Sequence, residues 1–357
     1  MDSENFSYFP ILKTKDAELR AISNLDILTA GKILPTYELT KSRITKKDSI
    51  GDIAKRVQEI ANIQGKRPFI LDVTTDPKQT NSQTEALLSP TAGYRNWQVF
   101  LGAHSALNVI PIIHIDFVLD PSLTETTEFV KAASHSYSTL ALRLPPYLEK
   151  IEYEQILNAV TPHLEESKID LLLDAGCIRK VAKKEGINPI ANQFSDSFQE
   201  IIRISKNIEW LRHVVCIAGS FPLIVSQEGG DEKGDFEIYE QTLWTSLRGV
   251  QPRFKFGDYA SINAAQVEIR GGTFVPRIDF CTDDRFFYHR YRRNEGSYAK
   301  CARQVVDDVN YRTFGTWGDE EIMTAATAIP SGISPSFWIS TRANRYMTHR
   351  TRIYQAK

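Results

Sequence analysis

Short apolar runs alternate with longer amphipathic segments along most of this chain, and that alternation is its strongest signal. The runs occupy residues 8–12, 33–39, 68–73, 109–115, 139–144, 169–174 and 213–218, with a weaker one at 253–256. Four to eight apolar residues without alternation predict strands buried on both faces, as parallel sheets require. Between them, spacings of three and four mark helices. The stripes are Ile50, Ile53, Ala54, Val57 and Ile60, then Phe129, Val130 and Ala133, then Phe194, Phe198, Ile201 and Ile202, and last Tyr239, Leu243 and Leu247. Ser49 and Ser195 are placed as N-caps of the first and third.

Eight strand candidates with intervening helices predict a (β/α)8 TIM-like barrel over residues 1–263, with an appended C-terminal strand/helix segment over 264–357 packed on it. Prolines at positions 10, 35 and 111 count against interior strands, though each lies in the first half of its run. An open doubly wound sheet is the alternative. It calls for a glycine-rich first turn, and Lys13-Thr14-Lys15-Asp16 supplies none. Beyond Asp258 the pattern changes to a glycine pair (Gly271-Gly272), a strand at 275–280, an Arg/aromatic stretch, helices at 297–309 and 318–328, a strand-like 336–339 and an Arg-rich tail. Residues 226–235 predict a polar loop after the seventh strand.

Composition adds limits rather than chemistry. With 42% hydrophobic and 24% charged residues, the 357-residue chain can build an ordinary core without disulfides or metals. None of Cys177, Cys216, Cys281 and Cys301 has CxxC or zinc-ligand spacing. Cys177 and Cys216 lie in or just after apolar runs, where a free thiol packs as a small hydrophobe. The first residues lack a basic-then-apolar leader, and no apolar run approaches the roughly 18 residues of a membrane span. A cytoplasmic, reducing location is the expectation. Net charge is −1, but from Arg277 onward thirteen Lys/Arg face nine Asp/Glu, so an anion-binding surface is expected toward the C-terminus.

Function in a β/α barrel sits at the carboxyl ends of the strands. Those positions hold Lys13, Glu38, Asp72, His114 with Asp116, Arg143, Asp174 and Gly257-Asp258-Tyr259. Converging carboxylates suit a divalent cation, or a general acid and base if proximity raises one pKa. The plainer alternative is that charged residues end strands where the chain meets water, and cap the next helix or turn. A second constellation, Arg285, Tyr288, Arg290, Arg292 and Arg293 among further rings, has the chemistry of single-stranded nucleic-acid grooves. Its plainer alternative buries the rings and pairs the arginines with Asp279, Asp283 and Asp284. No phosphate loop, nucleophile elbow or HExxH helix occurs, and no metal-ligand set is read.

Several short stretches carry a resemblance. Tyr8-Phe9-Pro10-Ile11-Leu12-Lys13, Ala17-Glu18-Leu19-Arg20-Ala21 and Ile33-Leu34-Pro35-Thr36-Tyr37-Glu38 open the chain. Gly257-Asp258-Tyr259-Ala260, Pro276-Arg277-Ile278 and Trp338-Ile339 with Arg342 and Asn344 come after them in order. Together they resemble the beta protein family of satellite phages and bacterial mobile elements. The matching positions are Lys13, Glu18, Glu38, Asp72, Arg143, Asp174, Asp258, Tyr259, Arg277 and Arg342. Asn344-Arg345-Tyr346 stands where the family often has paired histidines, so no role for those histidines carries over. The resemblance implies a phage-defence component that binds and restrains a toxin or effector encoded nearby, or a phosphorylated ligand, through the barrel mouth. A metal-dependent phosphodiesterase or nuclease, using the mouth carboxylates with Arg143 or Arg277 on phosphate, is the alternative.

Overall fold

Each of the eight apolar runs is a strand in the computed structural model, which describes residues 6–46, 48–251, 253–265 and 274–355. In chain order the strands are β1 (Phe9–Lys13), β2 (Thr36–Leu39), β3 (Phe69–Val73), β4 (Val109–Ile113), β5 (Thr139–Leu144), β6 (Lys168–Cys177), β7 (Leu211–Gly219), β8 (Lys233–Glu237), β9 (Phe254–Asp258), β10 (Arg277–Cys281) and β11 (Arg285–Arg290). Strands β1–β7 and β9 close into a parallel barrel. Phe9 opposite Gly257 and Pro10 opposite Asp258 seal the seam, which removes the open-sheet alternative. Pro10 and Pro111 lie inside strands and keep their register. The three remaining strands form a separate antiparallel sheet, in the order β10-β11-β8.

The wall is built by the alternation that runs along each strand. On β9, Phe254 meets Phe198 of the helix Asn188–Ser205, and Phe256 meets Trp244 and Tyr354. Those two rings face outward, so Gly257 and the residue just past the strand, Tyr259, face the interior. A Cβ at Gly257 would lie 2.7 Å from the Phe9 carbonyl oxygen, so only glycine fits at this point of the seam.

The helix Pro335–Gln355 takes the place of the barrel's eighth helix. Ala343 and Met347 join the barrel core, Tyr354 stacks on Phe256, and Asn344 donates to the Ala21 carbonyl of the helix Asp16–Ser23. The chain thus leaves the barrel after β9, adds β10 and β11 to the small sheet begun by β8, forms the helices Ser297–Val306 and Trp317–Thr327, and returns to complete the wall.

Several local expectations are corrected. The strand-like 336–339 is the first turn of this long helix, with Pro335 at its first position and Ser334 Oγ accepting from the Phe337 amide. The stretch 226–235 is loop only in its first half, because Lys233–Glu237 pairs with β11 as an exposed edge strand. Ser49 does not cap a helix: the helix Ala54–Gln64 starts five residues later, where Asp52 accepts from the Ala54 amide. Ser195 sits inside the helix Asn188–Ser205, because Ile190 and Ala191 extend its buried face a turn earlier. Cys216 is buried in β7, whereas Cys177 ends β6 exposed. Gly271-Gly272 lies outside the described residues.

Candidate functional site

Arg143 organises the barrel mouth. Penultimate in β5, it points inward and reaches across the barrel. Its Nη1 donates to Glu38 Oε1 at 2.9 Å and to Asp72 Oδ2 at 2.8 Å. Its Nε donates to Asp174 Oδ2 at 2.8 Å, and its Nη2 to the Tyr259 hydroxyl at 3.3 Å. Tyr259 in turn donates to Asp174 at 2.6 Å. Lys13, last residue of β1, is 3.5 Å from Glu38 Oε2. Five strands and the turn after β9 therefore aim six side chains at one point. Gly219 helps place them: a Cβ there would lie 2.9 Å from the Tyr259 ring and push it off Asp174.

The electrostatics arise from this geometry. Burial raises the Asp72 pKa, with the Glu38 charge adding to it and Arg143 opposing. Burial also acts against Glu38, yet Arg143 and Lys13 outweigh it and hold that carboxyl below its ordinary value. Arg143 is desolvated too, but the surrounding acids keep its pKa well above normal. Two cations face three carboxylates, so the mouth carries one excess negative charge. Most acceptor positions are taken. Asp72 Oδ1 accepts the Val73 amide, Asp174 Oδ1 the Gly176 amide, and Glu38 Oε2 alone lacks a hydrogen bond. Glu38 and Lys13 line a cavity of about 380 Å³ with Thr74, Thr75, Asp76 and Lys78.

Of the sequence-predicted ligand positions, Lys13, Glu38, Asp72, Arg143, Asp174 and Tyr259 come together. Asp258 does not. It faces outward into the wall, fully buried, where Tyr8 and Tyr346 donate to its two oxygens at 2.5 and 2.6 Å. Glu240, from the helix Tyr239–Val250, joins this cluster through Tyr346 and Ser220. Arg277 and Arg342 both close on Asp279, at 2.7 and 2.6 Å. Arg342 also bonds Ser261 and lies 3.9 Å over the Phe221 ring, which ties the last helix to the turn after β9. His114 is a core histidine against Tyr94 and Trp97, its pKa pushed down to about 4 by burial. Asp116 caps the following turn by accepting from the Val118 and Leu119 amides.

The Arg/aromatic constellation is β11. Its alternation buries Phe286 and Tyr288, with the Tyr288 hydroxyl on the Gly230 carbonyl. Arg285 pairs with Asp235, while Arg290 and Arg292 pair with Asp231. Arg293 covers Phe274 at 5.2 Å. Tyr288 thus has no free face for a base, and the acids that meet the arginines are Asp231 and Asp235 around β8 and Glu295 beside Arg292, rather than Asp279, Asp283 or Asp284. Among the described residues, no three His, Cys, Asp or Glu side chains are grouped as a metal-ligand set. Sequence reasoning missed Tyr8, Glu240 and Tyr346, each buried in the wall. The signal for Glu240 was an acid one position from the apolar stripe that begins at Tyr239.

Fold and site together define a closed parallel β/α-barrel protein with a charge-paired polar site at the carboxyl ends of its strands. The chain belongs to the Beta protein family, whose family model matches residues 8–352. A curated relative, Protein beta of Enterobacteria phage P4, is 26% identical over 362 aligned positions, covering 99% of this chain and 95% of that protein. No solved structure matches the chain.

Proposed function

We propose that this protein is a phage-defence component that binds and restrains a partner toxin or effector encoded nearby, using the barrel mouth as its recognition site. The observation that carries the reading is the Arg143 network. A guanidinium fixed by Glu38, Asp72 and Asp174 is preorganised for recognition, since its geometry is set before anything arrives. The mouth's excess negative charge, and a Glu38 Oε2 that meets only the Lys13 ammonium and makes no hydrogen bond among the described residues, favour a cationic or N–H-bearing group of the partner over a phosphate. A divalent ion, as the phosphodiesterase reading requires, competes with Arg143 for the same three carboxylates. No observation favours that reading over binding.

The test is affinity purification of the tagged full chain from cells carrying its native gene neighbourhood, beside Glu38→Gln. That substitution keeps the shape of the mouth and leaves Arg143 held by Asp72 and Asp174. The parent is expected to retain a stoichiometric neighbour-encoded protein and to protect cells, and the variant to lose both while remaining folded, with a somewhat lower melting temperature because the Arg143 and Lys13 pairings to Glu38 are gone. A Glu38→Gln chain that keeps its partner and its protection removes the mouth from the mechanism.

A further inference from the structure

A second cavity, of about 520 Å³, opens beside the mouth. It lies between the turn after β1, the segment 40–44 after β2, Lys78 and Gln79 after β3, and the first turn of the last helix. Lys15, Asp16, Ala17 and Glu18 line it, so its floor is the N-terminus of the helix Asp16–Ser23. Lys15 at the N-cap position offers no side-chain cap, and the positive end of the helix dipole favours an anion.

Charge around the rim agrees. Arg56 is held by Asp16 and Glu59. Lys41, Arg43 and Lys78 also line the cavity and, among the described residues, make no salt bridge. This differs from the Arg143 network, where both cations, Lys13 and Arg143, face a carboxylate.

The independent observation is Glu18. It lines the cavity at only 2% exposure, and its Oε1 has no hydrogen-bond partner among the described residues. A buried acceptor without a partner costs about 1–3 kcal/mol, which a ligand that supplies an N–H recovers. Asp16 and the cations Lys13, Lys15 and Arg342 are the charged groups that act on it. Burial, opposed by Lys15 and Lys13, raises its pKa to about 7.

We propose that this cavity binds a small phosphate-bearing ligand with an N–H donor at its other end. The phosphate lies at the helix N-terminus among Lys41, Arg43 and Lys78, and the donor meets Glu18. A nucleoside monophosphate has both ends, and about 520 Å³ is within the usual range for ligand pockets. The site shares Lys78 with the mouth cavity, but Glu18, Lys41 and Arg43 do not line the mouth, and the proposal does not depend on the partner reading.

The experiment is calorimetric titration of the full chain with AMP, GMP, CMP and UMP, the four nucleosides and inorganic phosphate. At least one nucleotide is expected to saturate a single site, at least about tenfold tighter than its nucleoside. Lys41→Ala/Arg43→Ala removes partly or fully exposed cations and is expected to weaken that nucleotide by about tenfold or more, with an unchanged melting temperature. Glu18→Gln is expected to reorder the preference among the four bases. Absence of saturation by all four nucleotides, or equal affinity in the double variant, overturns the proposal. An unchanged base order in Glu18→Gln overturns the part assigned to Glu18. Glu38→Gln leaves these titrations unaltered, so failure here and failure of the partner reading are told apart.

Discussion

Asp258 and Tyr259 are consecutive residues at the end of one strand, and they belong to opposite environments. Tyr259 faces the barrel interior and joins Arg143, Asp174 and their neighbours at the mouth. Asp258 faces the wall, where Tyr8, Tyr346 and Glu240 surround it behind the last helix. Both groups concentrate acids in a desolvated space. The mouth answers its acids with guanidinium and ammonium groups, whereas the wall answers them mainly with hydroxyl donors and retained protons. The comparison separates two uses of a buried carboxylate. One holds a cation in place at an opening, and the other ties packed elements together.

The strongest way to break this comparison is to remove the mouth's cation. Arg143→Met leaves Glu38, Asp72 and Asp174 facing one another, with only Lys13 nearby. Uncompensated buried charge costs about 3–5 kcal/mol, toward the lower figure here because the site opens to water. That corresponds to a fall of roughly 4 °C in melting temperature by calorimetry at neutral pH for a chain of this length. The loss should shrink as pH is lowered and the acids take up protons. A variant as stable as the parent at neutral pH would show that the network is not an energetic unit.

The wall should behave in the opposite sense with pH. Burial, with the Asp258 charge adding and the Ser220 hydrogen bond and Arg350 opposing, raises Glu240 to about 7 from an ordinary 4.5. The folded chain therefore binds more protons than the unfolded chain across that interval, so stability falls as pH rises from about 4.5 to about 7. Glu18, raised to about 7 as well, contributes with the same sign. Glu240→Gln should flatten part of this slope, by about 1–3 kcal/mol across the window, and leave the share due to Glu18. Denaturant unfolding at several pH values measures it. An identical slope in parent and variant would mean that Glu240 stays ionised in the wall.

The same alternation decides how much of this is readable in the sequence. Barrel strands are buried on both faces, so their apolar runs stand out. Six mouth residues are legible because position at a strand end is enough to find them. Asp258 is grouped with them wrongly, since counting strand ends does not say which of two consecutive residues faces in. The last helix escapes for a different reason. Its buried face mixes Ala343, Tyr346 and Met347 with Thr341, Arg342, Asn344, Arg345, Thr348, Arg350 and Thr351, so its apolar stripe is too interrupted to announce it. Arg345 on Asp319 and Arg350 on the Thr282 and Asp283 carbonyls satisfy that polar face, and such pairings are invisible until the extension is folded. The edge strand β8 is likewise mostly polar, with Phe236 its one buried apolar position, too little to mark a strand in the sequence.

Lys13→Met tests the mouth at its finest grain. Among the described residues Lys13 forms a salt bridge with Glu38 alone, at 3.5 Å, while Glu38 keeps Arg143 at 2.9 Å when the ammonium is gone. The stability change should therefore be small, about 1 kcal/mol. Binding should respond more than folding. The mouth's excess of negative charge grows from one to two, so a cationic partner group gains attraction while the network that positions it stays intact. Affinity for the captured partner should rise by a few-fold at low salt and return toward the parent's as ionic strength screens the added charge. A large loss of stability would place Lys13 with Arg143 as a structural tie. A small loss with weaker partner binding at every salt concentration would mean that the partner brings an acid to the mouth, and that the charge argument has the wrong sign.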